Sequence, residues 1–86
     1  MERFPVLESN QVAMVTANVN SGQILNLDLL PDKQNGRGVY AIFNSAQDAL
    51  NYAKSIITEK KYIECVIQGP DQETVYYVTP KNVQQF

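Results

Sequence analysis

Alternating apolar and polar residues predict a pair of strands in the first third of the chain. Residues 11–17 are rich in β-forming side chains, which is typical of a strand. Residues 23–30 alternate apolar and polar positions, the two-residue period of a strand with one buried face. The apolar positions of that face are Leu25, Leu27 and Leu29. Turn-forming residues separate the two segments, and Gly22 is free to adopt a positive φ, so we expect a hairpin.

A polar stretch, residues 31–38, leads into a third predicted strand at residues 39–43. The stretch contains Asn35-Gly36, a strong turn sequence, together with two basic residues. A phosphate-binding loop requires a helix N-terminus after it, and here a strand follows, so we interpret the stretch as a plain connection. Residues 39–43 are apolar on both faces, which predicts a central position in the sheet.

One amphipathic helix is predicted from Ser45 to about Lys60. Ser45 suits the N-cap position, and Asp48 three residues later favours the positive helix N-terminus. Six apolar residues follow the 3.6-residue period and form one continuous stripe. They are Ala46, Ala49, Leu50, Ala53, Ile56 and Ile57. Three of the six are alanines, so the helix axis should approach a sheet closely, and Lys60 and Lys61 suit the negative C-terminal end.

Two more strands and a final turn are predicted after the helix. Residues 62–68 alternate again, with three apolar side chains on one face. These are Ile63, Cys65 and Ile67. Residues 69–72 form a turn, and residues 73–79 are dense in β-branched and aromatic side chains, as in a strand. The pair Thr79-Pro80 suits the start of a short helical turn. That turn should present two apolar side chains to the sheet, Val83 and Phe86.

Together these elements predict a single small α+β domain that spans residues 1–86. The order β-β-β-α-β-β indicates a mainly antiparallel sheet of four to five strands, with one helix packed on one face and a short C-terminal helical turn. If the strands that flank the helix run parallel in one sheet, their connection should be right-handed. Residues 1–9 are expected to form an irregular N-terminal arm, and a chain of 86 residues has room for one core.

A single helix covers one face of the predicted sheet, so the opposite face is the candidate interaction surface. Its expected mixture of aromatic and aliphatic side chains is typical of protein interfaces. The candidate residues are Tyr40, Ile42, Tyr62, Val66, Tyr76 and Val78. In the last strand, the alternation equally allows Val75 and Tyr77 to point to this side. The alternative is an intramolecular cover, formed by the N-terminal arm or by the segment that holds Val83 and Phe86.

Charge and hydropathy argue against two classes of partner. Seven basic and nine acidic residues give a net charge of −2, and the only adjacent basic pair is Lys60-Lys61, so we expect no nucleic acid. No stretch has the ~20 apolar residues of a membrane helix, and the start of the chain lacks the apolar run of a signal peptide. We therefore expect a cytoplasmic protein without membrane contact. Residues 40–50 resemble a run found in many small bacterial α+β proteins and carry no active-site motif.

The chain offers little material for catalysis or metal binding. It contains no histidine, the commonest general base and metal ligand, and a single cysteine. Cys65 alternates with isoleucines, so we interpret it as a core residue and not as a nucleophile. Asp28, Glu64 and Glu73 are interpreted as solvated surface charges. We therefore predict no catalytic residue, no cofactor and no metal site.

Two functions are compatible with these features. The first is a non-enzymatic protein-interaction domain of subunit, adaptor or inhibitor type, which binds another protein or a second copy of itself through the uncovered sheet face. The second is a small-molecule-binding or regulatory domain, with a pocket between sheet and helix lined by tyrosines. Light scattering on the purified protein tests the first, and a thermal-shift screen of ligands tests the second.

Overall fold

The computed structural model describes residues 3–31 and 38–86 and confirms the predicted class, a five-stranded antiparallel sheet with one helix. The elements are β1 (Val12–Asn18), β2 (Ile24–Leu25), β3 (Ala41–Phe43), α1 (Ala46–Glu59), β4 (Ile63–Gln68) and β5 (Thr74–Val78), followed by a 3₁₀ turn (Val83–Gln85). Residues 3–8 contain no helix or strand, as expected for the arm. The predicted turn at Asn35-Gly36 lies outside the described residues.

β1 and β4 are the central strands of the sheet, whose order is β2-β1-β4-β5 with β3 also paired to β1. β3 pairs with the first half of β1, where Met14 lies opposite Ala41. β2 pairs with the second half, where Thr16 lies opposite Leu25, which confirms the hairpin. Gly22 in its turn has a φ of 74°, as expected. Because all pairings are antiparallel, β3 and β4 on either side of β1 run parallel to each other, and α1 connects them.

The predicted central position of the third strand is wrong. Within the described residues, β3 pairs with β1 alone and therefore lies at an edge of the sheet. Its apolar character has a different cause. Phe43 packs against the core, whereas Ile42 projects from the opposite face and is 50% exposed. An edge strand whose side chains pack on both faces of the sheet can be apolar on both faces without lying at the centre.

The predicted strand at residues 23–30 is wrong beyond its beginning. β2 contains only Ile24–Leu25, and the chain then turns. The side-chain oxygen of Asn26 accepts hydrogen bonds from two following backbone N–H groups, at 2.8 and 3.2 Å. Such local bonds compete with strand pairing, a common property of asparagine. Leu27, expected on the buried face, is consequently 48% exposed.

α1 forms as predicted, with Ser45 as its N-cap. The Ser45 hydroxyl oxygen accepts a hydrogen bond from the Asp48 N–H at 3.1 Å. At the other end, the Lys60 N–H donates to the Ile56 carbonyl at 2.7 Å. The apolar stripe packs on the sheet, and its buried members are Ala49, Leu50, Ala53 and Ile57. Two of these are alanines with no exposed surface, so the helix backbone lies close to the sheet.

The core lies between α1 and one face of the sheet. β4 contributes three side chains with no exposed surface, as its alternation predicted: Ile63, Cys65 and Ile67. β1 adds Val12 and Met14, and β2 adds Leu25. The remaining members come from the helix stripe and from the C-terminal part of the chain.

The C-terminal segment closes the core beside β5. The Thr79 hydroxyl oxygen accepts hydrogen bonds from the N–H groups two and three residues later, at 3.2 and 3.3 Å, as expected for the start of a helical turn. Val83 is buried in the core, and Phe86 lies edge-on to Tyr76 with ring centroids 5.5 Å apart. The segment therefore packs on the helix side of the sheet.

Candidate interaction surface

One face of the sheet carries no helix, and the strand pairing identifies its residues. In antiparallel strands, directly opposed residues project from the same face. Val15 opposes Val66 between two pairs of buried residues, so both valines project away from the helix. The same register gives the full set, here called the uncovered face: Ala13, Val15, Ala17, Ile24, Ile42, Glu64, Val66, Gln68, Thr74 and Tyr77.

The centre of the uncovered face is aliphatic. Ala13 has no exposed surface although no helix covers it, because larger side chains oppose it in β3 and β4. Val15 and Val66 are half-buried. Towards the two sides, Ile42 is 50% and Tyr77 48% exposed. A solvated face of an antiparallel sheet is normally polar, so this composition is typical of a surface with a partner.

A hydrogen-bonded pair marks the β4–β5 side of the uncovered face. The Tyr77 hydroxyl donates to a carboxylate oxygen of Glu64 at 2.6 Å. This hydrogen bond is the main reason why the pKa of Tyr77 lies above its ordinary value of 10.0. Loss of the phenolic proton would remove the bond and place two negative charges side by side. The pair therefore orients the Tyr77 ring while leaving about half of it accessible.

A groove of about 440 Å³ adjoins that pair. Its lining consists of Val19, Asn20, Lys61, Glu64, Tyr77, Thr79, Pro80 and Lys81. Neither lysine of the groove forms an ion pair within the described part of the chain, where the one ion pair joins Lys60 to Glu59 at 3.7 Å. The aliphatic centre thus borders on charged and accessible side chains. Protein interfaces commonly have this arrangement of an apolar core and a polar rim.

The structure places two of the six candidate residues on the uncovered face, Ile42 and Val66. Tyr40 lies beside β3 and packs edge-on against Phe4, with ring centroids 5.4 Å apart. Tyr62 immediately precedes β4 and is 40% exposed. These two tyrosines lie next to strands of the uncovered face but outside the paired positions.

Tyr76 and Val78 lie instead on the covered side of the sheet, a correction to the expected surface. Val78 opposes Cys65 and has no exposed surface, and Tyr76 packs against the core. Tyr77 takes the position on the uncovered face, the arrangement that the alternation equally allowed. Residues 75–78 are apolar or aromatic at both alternating sets of positions, so only the register with β4 shows which set lies on which face.

Neither terminal segment hides the exposed residues of the uncovered face, as far as the described residues show. The C-terminal segment is held on the helix side, where the Lys54 ammonium donates to the Phe86 carbonyl at 2.8 Å. The arm contacts Tyr40 through Phe4 and leaves Val6 98% exposed. The intramolecular cover considered from the sequence therefore leaves both Ile42 and Tyr77 accessible.

The outer edge of β5 is occupied at its C-terminal end by the Asn82 side chain. The Asn82 side-chain amide donates to the Tyr77 carbonyl at 2.9 Å, and its oxygen accepts from the Thr79 N–H at 2.7 Å. These two bonds replace those that a neighbouring strand would make. A register shift between β4 and β5 at Gln68 also interrupts the regular ladder, another device that protects sheet edges.

A cleft of about 240 Å³ lies between α1 and the side of the sheet formed by β1, β3 and the loop after β2. Its lining residues are Met14, Thr16, Asn26, Leu27, Leu29, Val39, Ala41, Phe43 and Tyr52. The predicted pocket between sheet and helix thus has a counterpart in the structure, but Tyr52 is the one tyrosine in its lining. The Tyr52 and Phe43 rings lie together at the cleft, with centroids 5.6 Å apart.

The titratable residues considered from the sequence occupy separate positions. Glu64 accepts the Tyr77 hydrogen bond, and a Glu73 carboxylate oxygen accepts from the Asp71 N–H at 3.0 Å. Asp28 lies in the loop after β2. Cys65 is fully buried. In the ranges 3–31 and 38–86, no three potential metal-ligating residues are grouped to hold an ion.

No helix in the described part of the chain has the length and apolar character needed to cross a membrane. Comparisons with protein families, with curated proteins and with solved structures found no match to this chain.

Proposed function

We propose that this protein is a small non-enzymatic protein-interaction domain, of subunit, adaptor or inhibitor type, that binds a protein partner through the uncovered face. The observation that carries the proposal is a sheet with a helix on one side and an aliphatic centre on the other. A second copy of the chain is the partner to which we commit first. A two-fold axis through Val15 and Val66 would match the same apolar centre with itself.

The dimensions of the molecule support this proposal. Its two long axes measure 34 and 31 Å, and the short axis measures 17 Å. The broad side therefore has a projected area on the order of 1,000 Å², the same order as the roughly 800 Å² that each partner contributes to a standard interface. Burial of the exposed parts of Ile42 and Tyr77 would add to the apolar area removed from water.

The protected edge of β5 favours association through the face. Asn82 occupies the hydrogen-bonding groups of Tyr77 and Thr79 that a partner strand would need. Strand addition at this edge would have to displace those bonds first. Packing of one sheet face on another leaves them intact and buries apolar side chains on both sides.

Light scattering coupled to size exclusion tests the proposal with a matched pair of variants. Ile42→Glu places a charge at a half-exposed position of the uncovered face, and Leu30→Glu places the same charge at a 58% exposed leucine in the loop after β2. We expect a wild-type dimer whose dissociation constant rises at least tenfold in Ile42→Glu, since an unpaired charge in an apolar interface costs more than about 1.4 kcal/mol. Leu30→Glu should behave like the wild type.

A hetero-partner gives a different pattern in the same design. The wild type would then be monomeric, and affinity capture from the native source would recover a protein that Leu30→Glu retains and Ile42→Glu loses. Circular dichroism of both variants controls for folding. A monomeric wild type with identical capture by both variants contradicts the proposal.

We also propose that the domain has no catalytic activity of its own and works in the cytoplasm, without a cofactor. The absence of histidine from the sequence and the burial of Cys65 support the first part.

A further inference from the structure

We propose that the cleft between α1 and the β1–β3 side of the sheet binds a small uncharged molecule with an apolar body and one hydroxyl or carbonyl group. This site lies on the covered side of the sheet. It is therefore independent of the interaction proposed for the uncovered face, and either proposal can fail without the other.

The lining of the cleft selects for an uncharged and mainly apolar ligand. None of its nine lining residues carries a charge, and seven have aliphatic, thioether or aromatic side chains. The volume of about 240 Å³ suits a molecule of one ring, because an apolar cavity of about 150 Å³ suffices for benzene. The adjacent rings of Phe43 and Tyr52 offer an aromatic wall against which such a ring can pack.

Thr16 supplies the first polar contact. Its residue surface is 5% exposed, it lines the cleft, and no group within residues 3–31 or 38–86 forms a hydrogen bond with its hydroxyl. In the same ranges, every completely buried side-chain oxygen or nitrogen has a hydrogen-bond partner. The Thr16 hydroxyl is therefore not sealed in the core but keeps a small opening, which the cleft provides. A largely buried hydroxyl without a protein partner is a position where a ligand gains a hydrogen bond.

Asn26 supplies the second polar contact. Its side-chain oxygen is used by the N–H groups of Asp28 and Leu30. These bonds orient the amide, so the Nδ2 group remains as a donor, and it has no partner among the residues that the structure describes. A donor from Asn26 and a hydroxyl from Thr16 in one apolar cleft favour a ligand that carries a hydrogen-bond acceptor.

Two probes of nearly equal shape test the proposal, 4-methylphenol and toluene. Both fit a cleft of this volume, and only the first has a hydroxyl group. In a titration followed by NMR of the isotopically labelled protein, both should shift the resonances of Met14, Phe43 and Tyr52. We expect 4-methylphenol to bind about 2- to 10-fold more tightly than toluene, the range that one net hydrogen bond gives.

Thr16→Val separates the polar contact from the shape of the cleft, because valine has nearly the same volume. This variant should bind toluene as the wild type does and lose the preference for 4-methylphenol. Thr74→Val, on the exposed part of β5, is the matched control and should retain the preference. Ala41→Leu should weaken the binding of both probes, because the larger side chain fills the cleft from the β3 side.

Thermal unfolding of each variant shows that it folds, and Thr16→Val should unfold at a temperature equal to or above that of the wild type. The proposal is overturned if neither probe shifts the cleft resonances at millimolar concentration, which is also the result expected if part of this chain fills the cleft. An unchanged preference in Thr16→Val, or shifts centred on the uncovered face, overturns it as well.

Discussion

Cys65 shows how the surroundings of one side chain suppress its chemistry. Burial raises the pKa of the thiol from 9.0 to about 12, and the charge of the neighbouring Glu64 carboxylate adds to the increase. Only the thiolate is a good nucleophile, so at neutral pH this side chain is an apolar member of the core. Its predicted place in the core is confirmed by its full burial.

We predict that Cys65 resists iodoacetamide in the native protein at mildly alkaline pH and reacts completely once urea unfolds the chain. Both thiolate formation and access of the reagent require opening of the core. Mass spectrometry of timed samples measures the extent of modification. Equal rates in native and unfolded protein would show that the thiol is accessible.

The raised pKa of Cys65 also predicts a loss of stability in alkaline solution. Between pH 9.0 and about 12, the unfolded thiol releases its proton while the folded thiol keeps it. The folded state then binds more protons, so the free energy of unfolding falls as the pH rises, by at most about 1.4 kcal/mol per pH unit for one group. Cys65→Ala has no thiol and lacks this pH-dependent contribution. In urea titrations, the difference in free energy of unfolding between wild type and Cys65→Ala should therefore shrink above pH 9.0. A constant difference would contradict the assignment.

Gln72 adopts a φ of 63°, in the left-handed region, at the end of the β4–β5 turn. A side chain there costs about 1–2 kcal/mol, and glycine avoids that cost while adding about 0.4–1 kcal/mol of entropy to the unfolded chain. We predict that Gln72→Gly raises the free energy of unfolding by about 0.5–1 kcal/mol in urea titrations. The Gln72 N–H bond to the Gly69 carbonyl, 2.9 Å, is retained because it belongs to the backbone.

Leu29 is the matched control for Gln72, because its φ is also 63°. Its side chain, however, packs against the core. Leu29→Gly should therefore lower the free energy of unfolding by about 1–3 kcal/mol, since lost burial outweighs the relieved backbone strain. If the free energy of unfolding changed in the same direction in both variants, this explanation would be contradicted.

At the scale of the elements, β5 shows how an edge strand is completed without another strand. Its sequence, Thr-Val-Tyr-Tyr-Val, has high β-propensity and no charge, the composition that favours unwanted pairing. One asparagine, Asn82, satisfies an acceptor and a donor on the outer edge. The C-terminal turn therefore contributes to the sheet as well as to the core.

We predict that Asn82→Ala lowers the free energy of unfolding by about 1–3 kcal/mol, because two hydrogen bonds are lost at once. The freed edge should also make the variant form assemblies larger than the wild-type species over time at high concentration, as measured by light scattering. Asn82→Asp keeps the acceptor for the Thr79 N–H and loses the donor to the Tyr77 carbonyl, so its destabilisation should be intermediate. Gln84→Ala, at an exposed position in the same segment, is the control. An Asn82→Ala variant that matches it would contradict the proposed protection.

At the scale of the whole molecule, the fold is one layer of sheet with a helix on one side. The shortest dimension, 17 Å between Cα extremes, reflects those two layers. A fold of this kind buries one face of its sheet by itself, and the other face depends on the polarity of its residues or on a partner. The apolar side chains of Val15 and Val66 at the centre of that face support the second option, the proposed partner.

Two neighbours in β4 test this asymmetry directly. Ile67 lies in the core with no exposed surface, and Val66 lies on the uncovered face. Ile67→Ala should lower the free energy of unfolding of the dilute protein by about 2–5 kcal/mol, and Val66→Ala by less than about 1 kcal/mol. Urea titrations at low and high protein concentration give both values and show whether the effect of Val66 depends on association. Similar losses in both variants would mean that both faces are covered within one chain.

Local patterns in the sequence were sufficient for the elements whose residues repeat with one clear period. The six-residue apolar stripe predicted α1, the Ser45 hydroxyl predicted its start, and the alternation in β4 predicted which face it buries. The reason is physical. A helix closes its hydrogen bonds within four residues, and a strand with one apolar face has one stable orientation against a core.

The remaining features, which are the orientation of β5, the position of β3 and the length of β2, were decided by the tertiary structure. β5 is apolar on both faces, so only its register with β4 places Tyr77 outside and Val78 inside. β3 borders the sheet because β1 is long enough to pair with both β2 and β3 on one side. β2 ends early because the Asn26 side chain binds the following backbone, and the same turn contributes to the cleft. Contacts between residues distant in sequence select among patterns that are locally equivalent, and both proposed sites of this protein depend on that selection.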